Sequence, residues 1–210
     1  MVGWPKLLTS FATRKIHFST RVIESVGLFT LAADPGGYEI LVRSILSQQI
    51  SVAAARTIRD RLQALLPGGK FTAKSIGALL DEQLQSAGVS RQKQTYIQHL
   101  TIFAMDGTIN FSRIAEASDE DAIEKLVQVK GIGRWTAQMF LMFSLGRMDV
   151  FAPDDLGLRN AIHKLYEPTE KLSRAGLEQH AEIWRPYRTI ASWYLWRSLE
   201  QKTAANEFPV

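Results

Sequence analysis

Two short stretches carry the residue types that could do chemistry. The first is Val129-Lys130-Gly131-Ile132-Gly133-Arg134-Trp135-Thr136-Ala137. Its glycines allow a turn with positive φ and let another backbone come close. A helix starting near Arg134 would offer the N–H groups of its first turn, and the positive end of its dipole, to a phosphate oxygen. The same residues also fit a plain corner between two helices, and on pattern alone both readings stand. A dinucleotide-binding loop does not fit, because no strand precedes the glycines and no third glycine follows at the required place. The second stretch is Pro153-Asp154-Asp155. Its carboxylates can divide two roles, with Asp154 capping the helix that begins near Asp155 and Asp155 pointing into a cleft. A carboxylate held in a partly dry cleft stabilises developing positive charge or deprotonates water. Both aspartates could instead serve only as N-cap and first-turn partners of the helix dipole.

The elements that must position these residues read as helices throughout. Ser118 is a natural N-cap with Asp121 three residues on, and Ile123, Leu126 and Val127 follow at helical spacing. Helix, glycine hairpin and second helix together span about 118–146. Upstream, Ile40, Leu41, Ser44 and Ile45 share one face of a helix that starts near Tyr38. That helix breaks at Ser47-Gln48-Gln49-Ile50-Ser51, and Ser51 can cap the next one, which ends at Pro67-Gly68-Gly69. Thr72, Asp81, Ser90 and Ser173 mark further helix starts, and Pro186 divides the last two helical segments. No segment shows sustained alternation, so the fold class is all-α.

The hairpin stretch, followed about twenty residues later by Phe151-Ala152-Pro153-Asp154-Asp155, closely resembles the helix-hairpin-helix DNA glycosylase superfamily that includes endonuclease III. The wording of the aspartate loop is similar to the DNA-3-methyladenine glycosylase II branch, and the likeness covers roughly residues 30–200. It implies two helical subdomains with a cleft between them. One is built from residues 1–48 and 154–210, the other is a six-helix barrel of residues 49–153. It also implies that Asp155 is catalytic, that Asp154 is the helix cap, and that Trp135, Met139 and Trp196 line a base pocket. Met139 stands where the bacterial relative has a tyrosine. DNA contacts are implied for Lys130, Gly131, Ile132, Gly133, Arg134 and Thr136 of the hairpin. They are implied too for Gln48 and Gln49, the latter at the position of the residue that wedges into the gap left by an extruded base. The backbone carbonyls of Val127, Val129 and Ile132 match those that hold a monovalent cation such as Na or K in the family; no cofactor is required.

The implied reaction is hydrolysis of the N-glycosidic bond of alkylated purines, 3-methyladenine and 7-methylguanine, in base excision repair of double-stranded DNA. Bifunctional relatives carry a Schiff-base lysine where this chain has Trp135, so a monofunctional enzyme without lyase activity is expected. Two other readings stay open: the same fold acting on hypoxanthine or ethenoadenine, and a non-catalytic DNA-binding protein using the same hairpin.

Composition sets the outer bounds. The 210 residues are ample for a hydrophobic core, and there are no cysteines, so disulfides, thiolate metal sites and an iron–sulfur cluster are excluded. His17, His99, His163 and His180 show no metal-ligand spacing and read as surface or satisfied polar residues. The net charge of +4 permits a nucleic-acid partner without requiring one. It is uneven, because residues 1–105 carry 12 basic and 6 acidic side chains while residues 106–210 carry 13 and 15. Phosphate contacts from the hairpin half would therefore rely on backbone N–H groups. No membrane-spanning run and no signal-peptide core appear, so the expected location is the cytoplasm, associated with the nucleoid; the resemblance implies a monomer.

Overall fold

The computed structural model describes residues 20–168 and 170–199, and among them there are twelve α-helices and no strand. The chain divides into two compact units, Ala33–Gly146 and the described parts of Met1–Ala32 with Arg147–Asn206. The boundaries fall at 32/33 and 146/147, not at the 48/49 and 153/154 expected from the resemblance. The physical reason is packing and hydrogen bonding.

In the Ala33–Gly146 unit, α2 (Gly37–Ser47) packs on α3 (Val52–Ala64), α6 (Arg91–Met105) and α9 (Arg134–Phe143). Its Leu41, Val42 and Ile45 are fully buried, so α2 cannot be separated from those partners. Short helices α4 (Ala73–Gly77), α5 (Asp81–Ser86) and α7 (Phe111–Glu116) lie between the longer ones, and α8 (Asp119–Leu126) precedes α9. The unit therefore holds eight α-helices rather than six. Helix α9 is buried on every side from Thr136 to Phe143, the mark of a central helix.

The caps that end these helices are local and legible. Ser51, Thr72, Ser90, Asn110 and Ser118 each accept a main-chain N–H of the first turn through the side chain. At α9 the N-cap is Gly133, and no side chain caps the helix.

The second unit contains α1 (Thr20–Val26), α10 (Leu156–Tyr166), α11 (Arg174–Ala181) and α12 (Arg188–Leu199). Helix α12 packs against both α10 and α1, and Tyr194 ties it further by donating its hydroxyl to the Gly27 carbonyl at 3.0 Å. The loop leading to α10 is held from α12. The Thr189 hydroxyl donates to Arg147 O at 2.6 Å and accepts the Val150 N–H at 3.0 Å. Asp149 accepts Arg188 Nε and Arg185 Nη1, each at 2.8 Å. These bonds explain why 147–153 belongs with the later helices. No helix among the described residues is long and apolar enough to cross a membrane.

One buried polar pair links α2 to α6. Tyr38 donates its hydroxyl to Thr101 Oγ1 at 2.6 Å, because the Thr101 hydrogen is committed to Ile97 O at 2.7 Å. Burial pushes the Tyr38 phenol from 10.0 up to about 12. Above pH 10 the unfolded phenol ionises while the folded one stays neutral, so stability is lost as pH rises from about 10 to about 12. The loss is on the order of 2 kcal/mol. Urea unfolding of wild type and Tyr38→Phe across this range should show the alkaline loss shrinking in the variant; parallel profiles would rule it out.

Candidate active site and nucleic-acid interface

Pro153 and Asp154 form the middle of a turn closed by the Asp155 N–H donating to Ala152 O at 3.0 Å. Proline favours that position because its φ is preset. Asp154 is left exposed at the tip, where it pairs with Arg174 at 3.4 Å. Asp155 then takes the extended backbone of an N-cap (φ −70°, ψ 121°), and its Oδ1 accepts the Leu158 N–H at 2.7 Å. The cap of α10 is therefore Asp155 and not Asp154, because only the residue leaving the turn has a side chain within reach of the helix's third N–H.

Asp155 is 8% exposed, and the same Oδ1 also accepts the indole N–H of Trp196 at 2.8 Å. Two donors on one oxygen fix the carboxylate plane and hold the anion in place. Gly157 makes this convergence possible, because a Cβ there would lie 3.0 Å from Trp196 Cδ1 and 3.1 Å from Asp155 Oδ1. Gly157 escaped the sequence reading, since a glycine early in a helix carries no signature of the indole that needs its space.

The hairpin is built as expected at both ends, with α8 capped by Ser118 and α9 starting at Arg134. Within it, Ile132 N–H closes onto Val129 O at 3.0 Å, and Gly131 takes φ +84°. Three side chains from other elements hold this backbone. Gln48 Nε2 donates to Gly131 O at 2.8 Å, His99 Nδ1 accepts the Lys130 N–H at 3.1 Å, and the Tyr96 ring lies against the Gly131 Cα. Gln48, expected at DNA, thus spends its amide on fastening the glutamine turn to the hairpin. Tyr96 and His99 escaped the sequence reading as site residues. The signal that could have found them is the polar stripe Gln92, Tyr96, His99 at helical spacing on α6.

The remaining hairpin residues divide. Lys130, Gly133 and Arg134 are exposed, and a Cβ on Gly133 would meet no protein atom within 4 Å. Arg134 grips Glu120 with both terminal nitrogens, at 2.6 and 2.7 Å, and holds the Glu120 carboxyl below its usual pKa. Ile132 and Thr136 are buried, at 3% and 5% exposure, so their side chains are core and any DNA contact must be main-chain. Met139 is fully buried inside α9, a helix buried all round, and lines neither of the two cavities that open near the hairpin.

Two cavities open beside the glutamine turn. One, of about 340 Å³, is lined by Trp135 with Ser44, Ser47, Gln49, Ile50 and Val52 among others. The other, of about 360 Å³, is bounded by Gln48, Gln49, Gln92, Lys93, Tyr96 and the hairpin backbone from Gly131 to Gly133. Gln49 is exposed at the tip and holds φ +59°, a conformation that costs a non-glycine residue free energy and clusters at ligand-contacting sites.

The carbonyls matched to a cation are those of Val127, Val129 and Ile132, of which Val129 O also accepts the turn's own N–H. Neutral oxygens of this kind, each with two lone pairs, suit a monovalent ion. Among the described residues no cluster of three or more His, Cys, Asp or Glu side chains could hold a metal ion. His17 lies outside the described residues. His180 packs edge-on against Tyr166 and Trp184, and burial lowers its pKa.

A model of the HhH-GPD superfamily of base excision DNA repair proteins matches residues 42–186. The chain is 34% identical over 204 residues to DNA-3-methyladenine glycosylase 1 of Schizosaccharomyces pombe, spanning 92% of this chain and 90% of that protein. A DNA-3-methyladenine glycosidase of Bacillus halodurans matches with a TM-score of 0.83 at 36% identity, over 92% of this chain and 89% of that one. The S. pombe 3-methyladenine DNA glycosylase in complex with abasic DNA matches with a TM-score of 0.76 at 34% identity, over 85% and 89%.

A Cβ at Gly131 would sit 2.1 Å from Tyr96 Cδ2, on a backbone that side chains resist. Gly131→Ala should therefore lower stability by about 2 kcal/mol or more. Combined with Tyr96→Ala, the double variant should lose less than the sum of the two single losses, because the clash is gone. Chemical denaturation of all four proteins checks this, and strict additivity would show that the ring is not what excludes the Cβ.

Proposed function

The chain belongs to the HhH-GPD superfamily of base excision DNA repair proteins, and from that premise we propose a monofunctional DNA glycosylase that hydrolyses the N-glycosidic bond of alkylated purines, 3-methyladenine and 7-methylguanine among them. The observation that carries the reading is the Asp155 carboxylate, buried at the head of α10 and held by Leu158 N–H and Trp196 Nε1. Relatives named for 3-methyladenine, at 34–36% identity, support the choice of substrate class.

A base in duplex DNA is stacked and paired, so it must leave the helix before its sugar bond can be reached. Gln49, exposed and strained at the turn tip, is suited to enter the space left behind. Trp135 lines a cavity and offers a π face, which attracts the positive charge of a methylated purine. As the C1′–N bond stretches, positive charge builds on the deoxyribose, and the fixed anion of Asp155 stabilises it. Water then forms the new bond to C1′ and gives its proton to Asp155, while the base departs with the bonding electrons. An alkylated purine is already a good leaving group, so an anion and an oriented water suffice.

Strand cleavage would need an amine to attack C1′ and form a Schiff base. Trp135 occupies the position where that lysine stands in bifunctional relatives, and an indole has no such nitrogen. The product is then an abasic site in an unbroken strand. A Na or K ion on the carbonyls of Val127, Val129 and Ile132 would add positive charge to a hairpin whose Arg134 is engaged with Glu120.

Two variants separate the roles of Asp155 and Trp196. Asparagine caps helices as well as aspartate does, so Asp155→Asn should keep the fold and the DNA affinity. Base release from methylated duplex, followed by chromatography, should fall by about 10²-fold or more. Wild-type product should stay full length on a denaturing gel until heated in alkali. No release by wild type from methylated DNA would sink the reading. Trp196→Phe keeps the ring but loses the donor, and a charge-assisted bond of this kind corresponds to about a tenfold fall in kcat with little change in KM; an unchanged kcat would remove Trp196 from the positioning of Asp155.

A further inference from the structure

The cavity of about 360 Å³ beside the hairpin is not used by the chemistry above. Its lining contains one cation, Lys93, together with Gln48, Gln49, Gln92, Tyr96 and the Gly131–Gly133 backbone, and no carboxylate. Lys93 is half-buried, and its Nζ donates to Leu46 O at 2.5 Å, near the C-terminal end of α2. That bond aims the ammonium and uses one of its three donors. Gln92 Nε2 donates to the Tyr96 hydroxyl at 2.7 Å, which steadies the wall beside it. Burial lowers the Lys93 pKa, as befits an ammonium set in a recess instead of waving in solvent.

A polar recess with a positive charge and no acidic side chain selects an anion. Its volume exceeds what one phosphate needs and falls in the range of small-ligand pockets. It abuts Gly133, where open space surrounds the backbone, and Gln49, the strained tip residue. We propose that this cavity seats a stretch of DNA sugar–phosphate backbone, with the Lys93 ammonium as its charge contact. The inference rests on the DNA-directed reading above and adds a phosphate contact from a helix outside the hairpin. Arg134 is paired with Glu120 at the hairpin, so Lys130 is the cation left exposed there, and Lys93 adds a second from the neighbouring helix.

A cation that meets a phosphate releases a counterion, so it contributes about one to the slope of log Kd against log salt. Binding of duplex containing a stable abasic-site analogue should therefore lose about one from that slope in Lys93→Gln, and Lys93→Arg should recover it. A lysine that only braces α2 could raise Kd or lower the Tm, but it would leave the slope untouched, and that result would overturn the proposal. In a parallel arm, acetylation of Lys93 by an amine reagent should be blocked by duplex and not by inorganic phosphate at equal phosphate concentration. Equal protection by phosphate alone would reassign the cavity to a small anion and overturn it as well. Base release by wild type, measured separately, judges the glycosylase reading independently of either arm.

Discussion

The missing Cβ at Gly131 is the constraint on which the hairpin depends. The Tyr96 ring occupies the space where a side chain would begin, and the backbone turns through a positive φ beneath it. With the ring in place, Gln48 reaches the Gly131 carbonyl and His99 receives the Lys130 N–H. The loop between α8 and α9, residues 127–133, is thereby fixed by contacts from two other elements, the glutamine turn and α6. Loops that must meet a ligand's backbone gain from such rigidity, because less entropy is lost when the ligand arrives. The N–H groups at the start of α9 are set in place by the same contacts, in a helix that no side chain caps.

Asp155 shows a second economy. The same oxygen that ends α10 also receives the Trp196 indole, so the carboxylate is held by the fold itself. A carboxylate that serves as an N-cap cannot swing away without fraying its helix. The substitution that removes its charge, to asparagine, leaves the cap intact. Gly157 is the hidden partner in this arrangement, admitting the indole where any larger residue would push it aside.

Electrostatics follow the same division between holding and contacting. The hairpin half of the sequence is acidic overall, and its exposed arginine is matched by Glu120. Exposed pairs of that kind add little stability, but they do cancel charge. The positive groups beside the hairpin are then the N–H dipoles at the start of α9, the exposed Lys130 and the cavity-lining Lys93, whose helix belongs to the basic half of the chain. Uneven charge along the sequence thus becomes charge placed side by side in space.

Sequence alone determined the all-α class, most helix boundaries, the hairpin, and Asp155 as the residue to watch. These are local matters. Caps such as Ser51, Thr72, Ser90 and Ser118 act within three residues, and glycine and proline act on their own dihedrals. Tertiary structure decided the rest, because it depends on residues far apart in the chain. Gln48 meets Gly131 across 83 positions, and Trp196 meets Asp155 across 41. Helical periodicity placed Met139 and Thr136 on a helix, but only packing on every side of α9 made them core instead of surface. The cap of α10 is Asp155 and not its neighbour Asp154, since sequence shows two adjacent aspartates and only the closed turn shows which one leaves it extended. The unit boundaries moved for a similar reason: α2 follows the partners that bury Leu41, Val42 and Ile45, and pattern cannot name those partners.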